Sequence, residues 1–117
     1  MDKIKLVIPT NGNKGLEDTV SDVFGRAEFF TIIEISRDSI CEVDVLKNPA
    51  VSYKHGAGPI VVKTLVDMDV KIVAAGEFGV GASTLLDQNR IRRLNVKSGI
   101  SVREAVKTIL KELTRQN

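Results

Sequence analysis

At 117 residues, 43% apolar and 27% charged, the chain has the size of one globular domain and can bury a core without a disulfide or metal staple. A net charge of only +2, four Phe, one Tyr and no Trp exclude a dedicated nucleic-acid binder, which needs a large basic excess on one face or a set of stacking aromatics. The single cysteine, Cys41, excludes an internal disulfide and a Cys-x-x-Cys metal site.

The amino terminus runs straight into a strand. Ile4, Leu6 and Ile8 alternate with Lys3, Lys5 and Val7, which is a strand pattern and not a signal peptide. No apolar run approaches the ~18 residues of a membrane span. With the lone thiol, these features lead us to expect a cytoplasmic protein with no membrane association.

Pro9-Thr10-Asn11-Gly12-Asn13-Lys14-Gly15 ends the first strand with turn residues. In Leu16–Phe24, Val20, Val23 and Phe24 have i, i+3, i+4 spacing, which predicts a short helix capped by Asp18 or Thr19. Phe29–Ile35 is β-branched and aromatic on both faces, as in an interior strand. Arg37-Asp38 is a tight turn, and Ile40–Leu46 returns as an antiparallel strand wet on one face.

Asn48–Gly58 then interrupts the pattern with the only histidine, the only tyrosine and two close glycines. A helix from about Ala57 follows, with helical spacing over Ile60–Met68, then a short buried strand, Lys71–Ala75. Gly76–Gly81 is a third glycine-bearing turn. A second helix runs from Ala82 to about Asn89, and Ile91–Val96 is a short strand whose arginines suit a sheet edge. Ser101-Val102-Arg103-Glu104 is a capping box, and Val102, Ala105, Val106, Ile109, Leu110 and Leu113 form one apolar stripe behind it.

The order β-(short α)-β-β-α-β-α-β-α predicts a single α/β domain over residues 1–117. The last half should be parallel with right-handed crossovers, and the first strands add as a meander. The expected sheet is mixed and five-stranded, order 3-2-1-4-5, with strand 2 antiparallel to the rest. Strands 1 and 4 then flank the switch point, where open α/β sheets bind ligands beyond the carboxyl ends.

This topology sends Pro9–Gly15, Asn48–Gly58 and Gly76–Gly81 to one edge of the sheet. The start of strand 2, Phe24-Gly25-Arg26, joins them. Cys41 begins strand 3 and belongs at the opposite edge, far from His55, so a Cys/His pair is not expected.

Thr10, Arg26, Asn48, His55, Gly56, Gly58, Gly76 and Gly79 are the candidate ligand-binding residues. Glycines let a backbone approach a ligand, and free amides at a helix start favour anions. His55 could ligate a metal or donate a hydrogen bond; the plainer reading is a solvent-facing histidine beside a helix-entry glycine. Gly76-x-x-Gly79-x-Gly81-Ala82-Ser83 has the glycine spacing of a phosphate loop, but Ala82 stands where the lysine would be, so no nucleoside-triphosphate site is expected. Arg26 is the one guanidinium expected on this edge, where it pairs with an anion or simply with Glu28. Lys54 has a weaker case of the same kind. Arg90, Arg92 and Arg93 read as edge protection. No carboxylate pair or Ser/His/acid set supports catalysis.

Taken in order, Phe24-Gly25-Arg26-Ala27-x-x-Phe30, Lys47-Asn48-Pro49-Ala50, His55-Gly56-Ala57-Gly58 and Val70-x-x-Val73 followed by Gly76 and Gly79 resemble the dinitrogenase iron–molybdenum cofactor biosynthesis and binding family. The resemblance covers Ile4 to about Leu113. It implies a ribonuclease-H-like three-layer α/β/α fold. It also implies a small non-enzymatic carrier that binds an iron–sulfur or iron–molybdenum cofactor, or a precursor, and exchanges it with metallocluster donor and acceptor proteins. The alternative from the residues alone is a regulatory or interaction domain binding a small anionic metabolite through the same amides. A monomer, or a homodimer paired through strand 3 or strand 5, is compatible with either.

Overall fold

The computed structural model describes residues 3–50 and 57–115. Five strands form one sheet in the order β3-β2-β1-β4-β5, with β1 at Ile4–Thr10, β2 at Phe29–Ser36, β3 at Ser39–Lys47, β4 at Ile72–Ala75 and β5 at Arg92–Asn95. β2 is antiparallel to both β1 and β3, whereas β4 is parallel to β1 and to β5. The expected order and directions are those observed.

Three helices cover the sheet: α1 (Ala57–Asp67), α2 (Val80–Gln88) and α3 (Val102–Arg115). Leu6, Val7 and Ile8 are all fully buried, because the central strand is covered on both faces. Val7, Phe30, Ile32 and Val73 face α1 and α2, packing with Val61, Leu65 and Leu86. Leu6, Ile8, Ile33 and Ile72 face α3, packing with Val102, Ala105, Val106 and Ile109. The result is an α/β/α sandwich with its core in two layers. Burying Val102, Val106 and Ile109 alone contributes roughly 5–9 kcal/mol before the entropy of ordering α3 is subtracted. The Glu104 amide donates to Ser101 Oγ at 3.1 Å, which starts α3 where the capping box predicts. No helix among the described residues is long and apolar enough to cross a membrane.

The expected short helix in Leu16–Phe24 is not formed. In its place are two 3₁₀ turns, Gly15–Glu17 and Phe24–Arg26, joined by extended chain. Val20 is buried in the α3 layer and Phe24 in the α1/α2 layer. No single helical stripe reaches both sides of a sheet, so the segment stays extended and borrows partners from neighbours. Val20 bridges Thr10, Thr19 bridges Ser101, and Val23 bridges Glu77. Tertiary packing here overrides a helical spacing that was real but local.

The hairpin turn places Arg37 at φ 53° and Asp38 at φ 64°, a primed turn made without glycine or asparagine. A bulge follows, because Ile35 pairs with Ile40 but Glu34 pairs with Glu42, leaving Cys41 as the extra residue. The bulge shifts the side-chain phase. Ile40 can then share the α3 face with Val43, which lies opposite Ile33.

Candidate functional site: an edge of glycine turns

Thr10 pairs with Phe29, and Phe29 pairs with Lys47. The ends of β1 and β3 and the start of β2 therefore share one edge. β4 is in register with β1, Val7 opposite Val73, so its end at Ala75 arrives there too. Cys41 is exposed near the other end of the sheet, beside the Ile35–Ile4 pairing, where its thiol donates to the Glu34 carbonyl at 3.4 Å.

The turn after β1 is built around Asp18. Its carboxylate is nearly buried and accepts the amides of Gly12 at 3.1 Å, Lys14 at 2.9 Å and Thr19 at 2.8 Å. A Cβ on Gly12 would sit 2.7 Å from Asp18 Oδ2, so this close approach requires glycine. Thr10 is fully buried, and its hydroxyl donates to the Gly12 carbonyl at 2.9 Å and shares a 3.1 Å bond with Thr31. The hydroxyl is thus committed to the turn itself.

Asn48 joins the second turn to the Arg26 turn. Its Nδ2 donates to the carbonyls of Ala27 at 2.8 Å and Gly25 at 3.2 Å. Its Oδ1 accepts the Ala50 amide at 2.8 Å, and its own amide donates to the Glu28 carbonyl at 2.9 Å. At 2% exposure the side chain has no group left for a ligand. Arg26, by contrast, is exposed at the end of its 3₁₀ turn.

The third turn leads into α2. Gly79 has φ 82° and ψ 153°, a conformation open in practice only to glycine, and no side chain caps the first turn of the helix. Among the described residues no side chain takes up the first amides of α2, which carry the positive end of the helix dipole. Gly58, in the first turn of α1, lies against that turn; a Cβ on it would stand 4.0 Å from the Ala82 nitrogen. Two helix starts thus meet on one edge. Gly76 packs closely, since a Cβ there would meet Ser98 Cβ at 3.3 Å and the Asp22 carbonyl at 3.4 Å. The Phe24 amide donates to the Glu77 carbonyl at 2.8 Å, which holds the Arg26 turn against the Gly76–Gly79 turn.

Arg26, Asn48, Gly58, Gly76, Gly79 and Thr10 are therefore on or directly behind one edge. His55 and Gly56, with Lys54, lie outside the described residues. Among the described residues, no group of three or more His, Cys, Asp or Glu is placed to hold a metal ion. What the edge offers is backbone amides and a guanidinium, a chemistry suited to anions. Thr31 and Phe78 also shape this edge and did not emerge from the sequence, and Asp18, expected as a helix cap, instead holds the turn after β1. Asp18 had a usable signal, an acidic side chain just after a turn rich in Asn and Gly.

The same fold occurs in known proteins. An uncharacterised protein of Methanocaldococcus jannaschii is 27% identical over 85 residues, which is 73% of this chain and 68% of that protein. The structure of a candidate NifB protein from Thermotoga is similar at a TM-score of 0.77 and 31% identity, over 92% of this chain and 88% of that one. The apo form of the orange protein from Desulfovibrio gigas is similar at a TM-score of 0.80 and 26% identity, over 92% and 88% of the two chains. The sequence profile of the dinitrogenase iron–molybdenum cofactor family matches residues 4–112, from the first residue of β1 into α3 and across all three glycine turns, and the chain belongs to that family.

Proposed function

We propose that this protein is a small carrier, not an enzyme, that binds an iron–sulfur or iron–molybdenum cluster or its precursor on the glycine-turn edge and passes it between partner proteins. The observation that carries the reading is the uncapped start of α2 at Gly79, set against the first turn of α1 and tied to the turn bearing Arg26. An anionic cluster would rest on the α2 amides and pair with Arg26. His55, from the Asn48–Gly58 stretch of the sequence, would supply the one imidazole. The thiol of Cys41 is at the wrong end of β3 to ligate such a cargo. Thr10, Asn48 and Gly76 would act by shaping the turns, and Gly56, Gly58 and Gly79 by letting the cargo approach the backbone.

Anaerobic reconstitution with iron and sulfide, with and without molybdate, tests the reading by absorbance and metal analysis. Uptake should fall in Arg26→Ala and in His55→Ala and persist in Cys41→Ala. Dependence on Cys41 alone would place the site elsewhere. No uptake by folded protein, even from a preformed cluster, would turn the same amides toward a small phosphorylated or carboxylated metabolite.

A further inference from the structure

Arg93 lies on the edge strand β5, where the sequence suggests only a charge guarding against strand pairing. Its geometry is more specific. Nε donates to Asp87 Oδ1 at 2.9 Å and Nη2 to Oδ2 at 3.0 Å, a bidentate fork between β5 and α2. Held in this way, the guanidinium carbon lies 5.6 Å from the centroid of the Phe78 ring. Phe78 is 6% exposed. Its ring is 5.9 Å from that of Phe24, which is 5.4 Å from that of Phe30.

Phe78 is the anchor of the third turn. It sits between Gly76 and Gly79, while Glu77 and Gly79 are exposed. A Cβ at Gly79 would meet nothing within 4 Å. The close packing of Gly76 and the Glu77 carbonyl hold the first half of this turn, and the buried Phe78 ring holds the half that enters α2 through Gly79. The held turn in turn supplies the Glu77 carbonyl to the Phe24 amide. A connected set therefore runs from Asp87 through Arg93 and Phe78 to Phe24 and the turn bearing Arg26.

We infer that Arg93, oriented by Asp87, is a positioning residue for the ligand edge. By covering the Phe78 ring it fixes the Gly76–Gly79 turn, and with it the first amides of α2 relative to Arg26. The consequence for binding rests on the carrier reading; the consequence for the turn does not.

Amide hydrogen exchange and ¹⁵N–¹H spectra of the protein without cargo test the structural half. Arg93→Leu should speed exchange of the Phe24 amide about tenfold and shift the Gly79, Val80 and Gly81 resonances, as expected for a local opening. Amides of β1 and α3 should keep their protection. Arg93→Lys, which keeps the charge but loses the fork, should fall between wild type and Arg93→Leu. In a Phe78→Leu background the further change to Arg93→Leu should do little, because the shared contact is already gone. Unchanged Phe24 exchange in Arg93→Leu, or a rise spread evenly over β1 and α3, would overturn the inference.

Cluster uptake under anaerobic reconstitution tests the functional half, and Arg93→Leu should bind several-fold more weakly than wild type. Equal uptake despite a loosened turn would remove Arg93 from the binding edge. Failure of the wild type to take up any cluster would count against the carrier reading, while the exchange data still decide the role of Arg93 in the turn.

Discussion

Replacing Asn48 tests whether one buried amide joins two turns of the edge. Asn48→Ala removes three side-chain hydrogen bonds, at 2.8 Å to Ala27, 2.8 Å from Ala50 and 3.2 Å to Gly25. The Ala27 and Ala50 bonds are buried, so their stranded partners each cost about 1–2 kcal/mol. Gly25 is half-buried and its carbonyl can rehydrate, which limits its share to about 0.5–1 kcal/mol. The sum is about 2.5–5 kcal/mol. For a urea m-value of about 1.5 kcal/mol/M, this lowers the unfolding midpoint by about 2–3 M. Asn48→Asp sharpens the test. It retains an acceptor for the Ala50 amide but points a carboxylate at two carbonyl oxygens. At pH 7 it should destabilise at least as much as alanine. The introduced carboxyl would have a folded-state pKa above its unfolded value, so stability should return in part as the pH falls toward 4 and protonation restores a donor. An alanine variant within about 1 kcal/mol of wild type, or an aspartate variant insensitive to pH, would refute the reasoning.

Gly79→Ala forces a side chain into φ 82°, ψ 153° with open space around it, so backbone strain alone should cost about 1–3 kcal/mol. Gly81→Ala, two residues on in helical geometry, should be neutral or stabilising by up to about 1 kcal/mol; thermal melts that rank the pair the other way would reverse the assignment of strain. Arg93 holds the Asp87 carboxyl below the usual carboxylate range, chiefly through its hydrogen bonds. A lowered folded-state pKa means a contribution fully present above the unfolded value and lost as pH falls through the folded one. The gap in urea midpoint between wild type and Asp87→Asn should therefore hold from pH 7 to 5 and begin to shrink below about pH 4; a gap that does not change with pH on acidification would contradict the pairing. Arg90, just past α2, adopts φ 60° while the Ile91 amide bonds the Leu86 carbonyl at 2.9 Å. Arg90→Gly should relieve the left-handed backbone and raise Tm by about 2–4 °C.

The sheet order was legible because it needed only strand count, hairpin spacing and the handedness of crossovers. Those rules also carried Cys41 to the far edge and the turns after β1 and β4 to the near one, where the backbone places them together with Asn48 and Gly58. What failed was local. Val20 and Phe24 have the spacing of one helical stripe, yet the chain passes around the sheet between them and buries each in a different layer. Spacing records which residues avoid water and not which layer receives them. The roles of individual side chains were hidden for a related reason. Thr10 and Asn48 stand at ligand-facing positions in the sequence, but both are buried and spend their polar groups on neighbouring turns. Whether a polar side chain in a turn faces cargo or holds the turn depends on partners dozens of residues away, such as Thr31 for Thr10 and Ala27 for Asn48. Arg93 shows the converse. An arginine on an edge strand looks like solvated charge until Asp87 and Phe78 are placed on either side of it. An edge made of glycine turns has few side chains of its own to define its shape. Its geometry must be imposed from behind by residues such as Asp18, Asn48 and Phe78, and these long-range partnerships are what single-sequence patterns leave out.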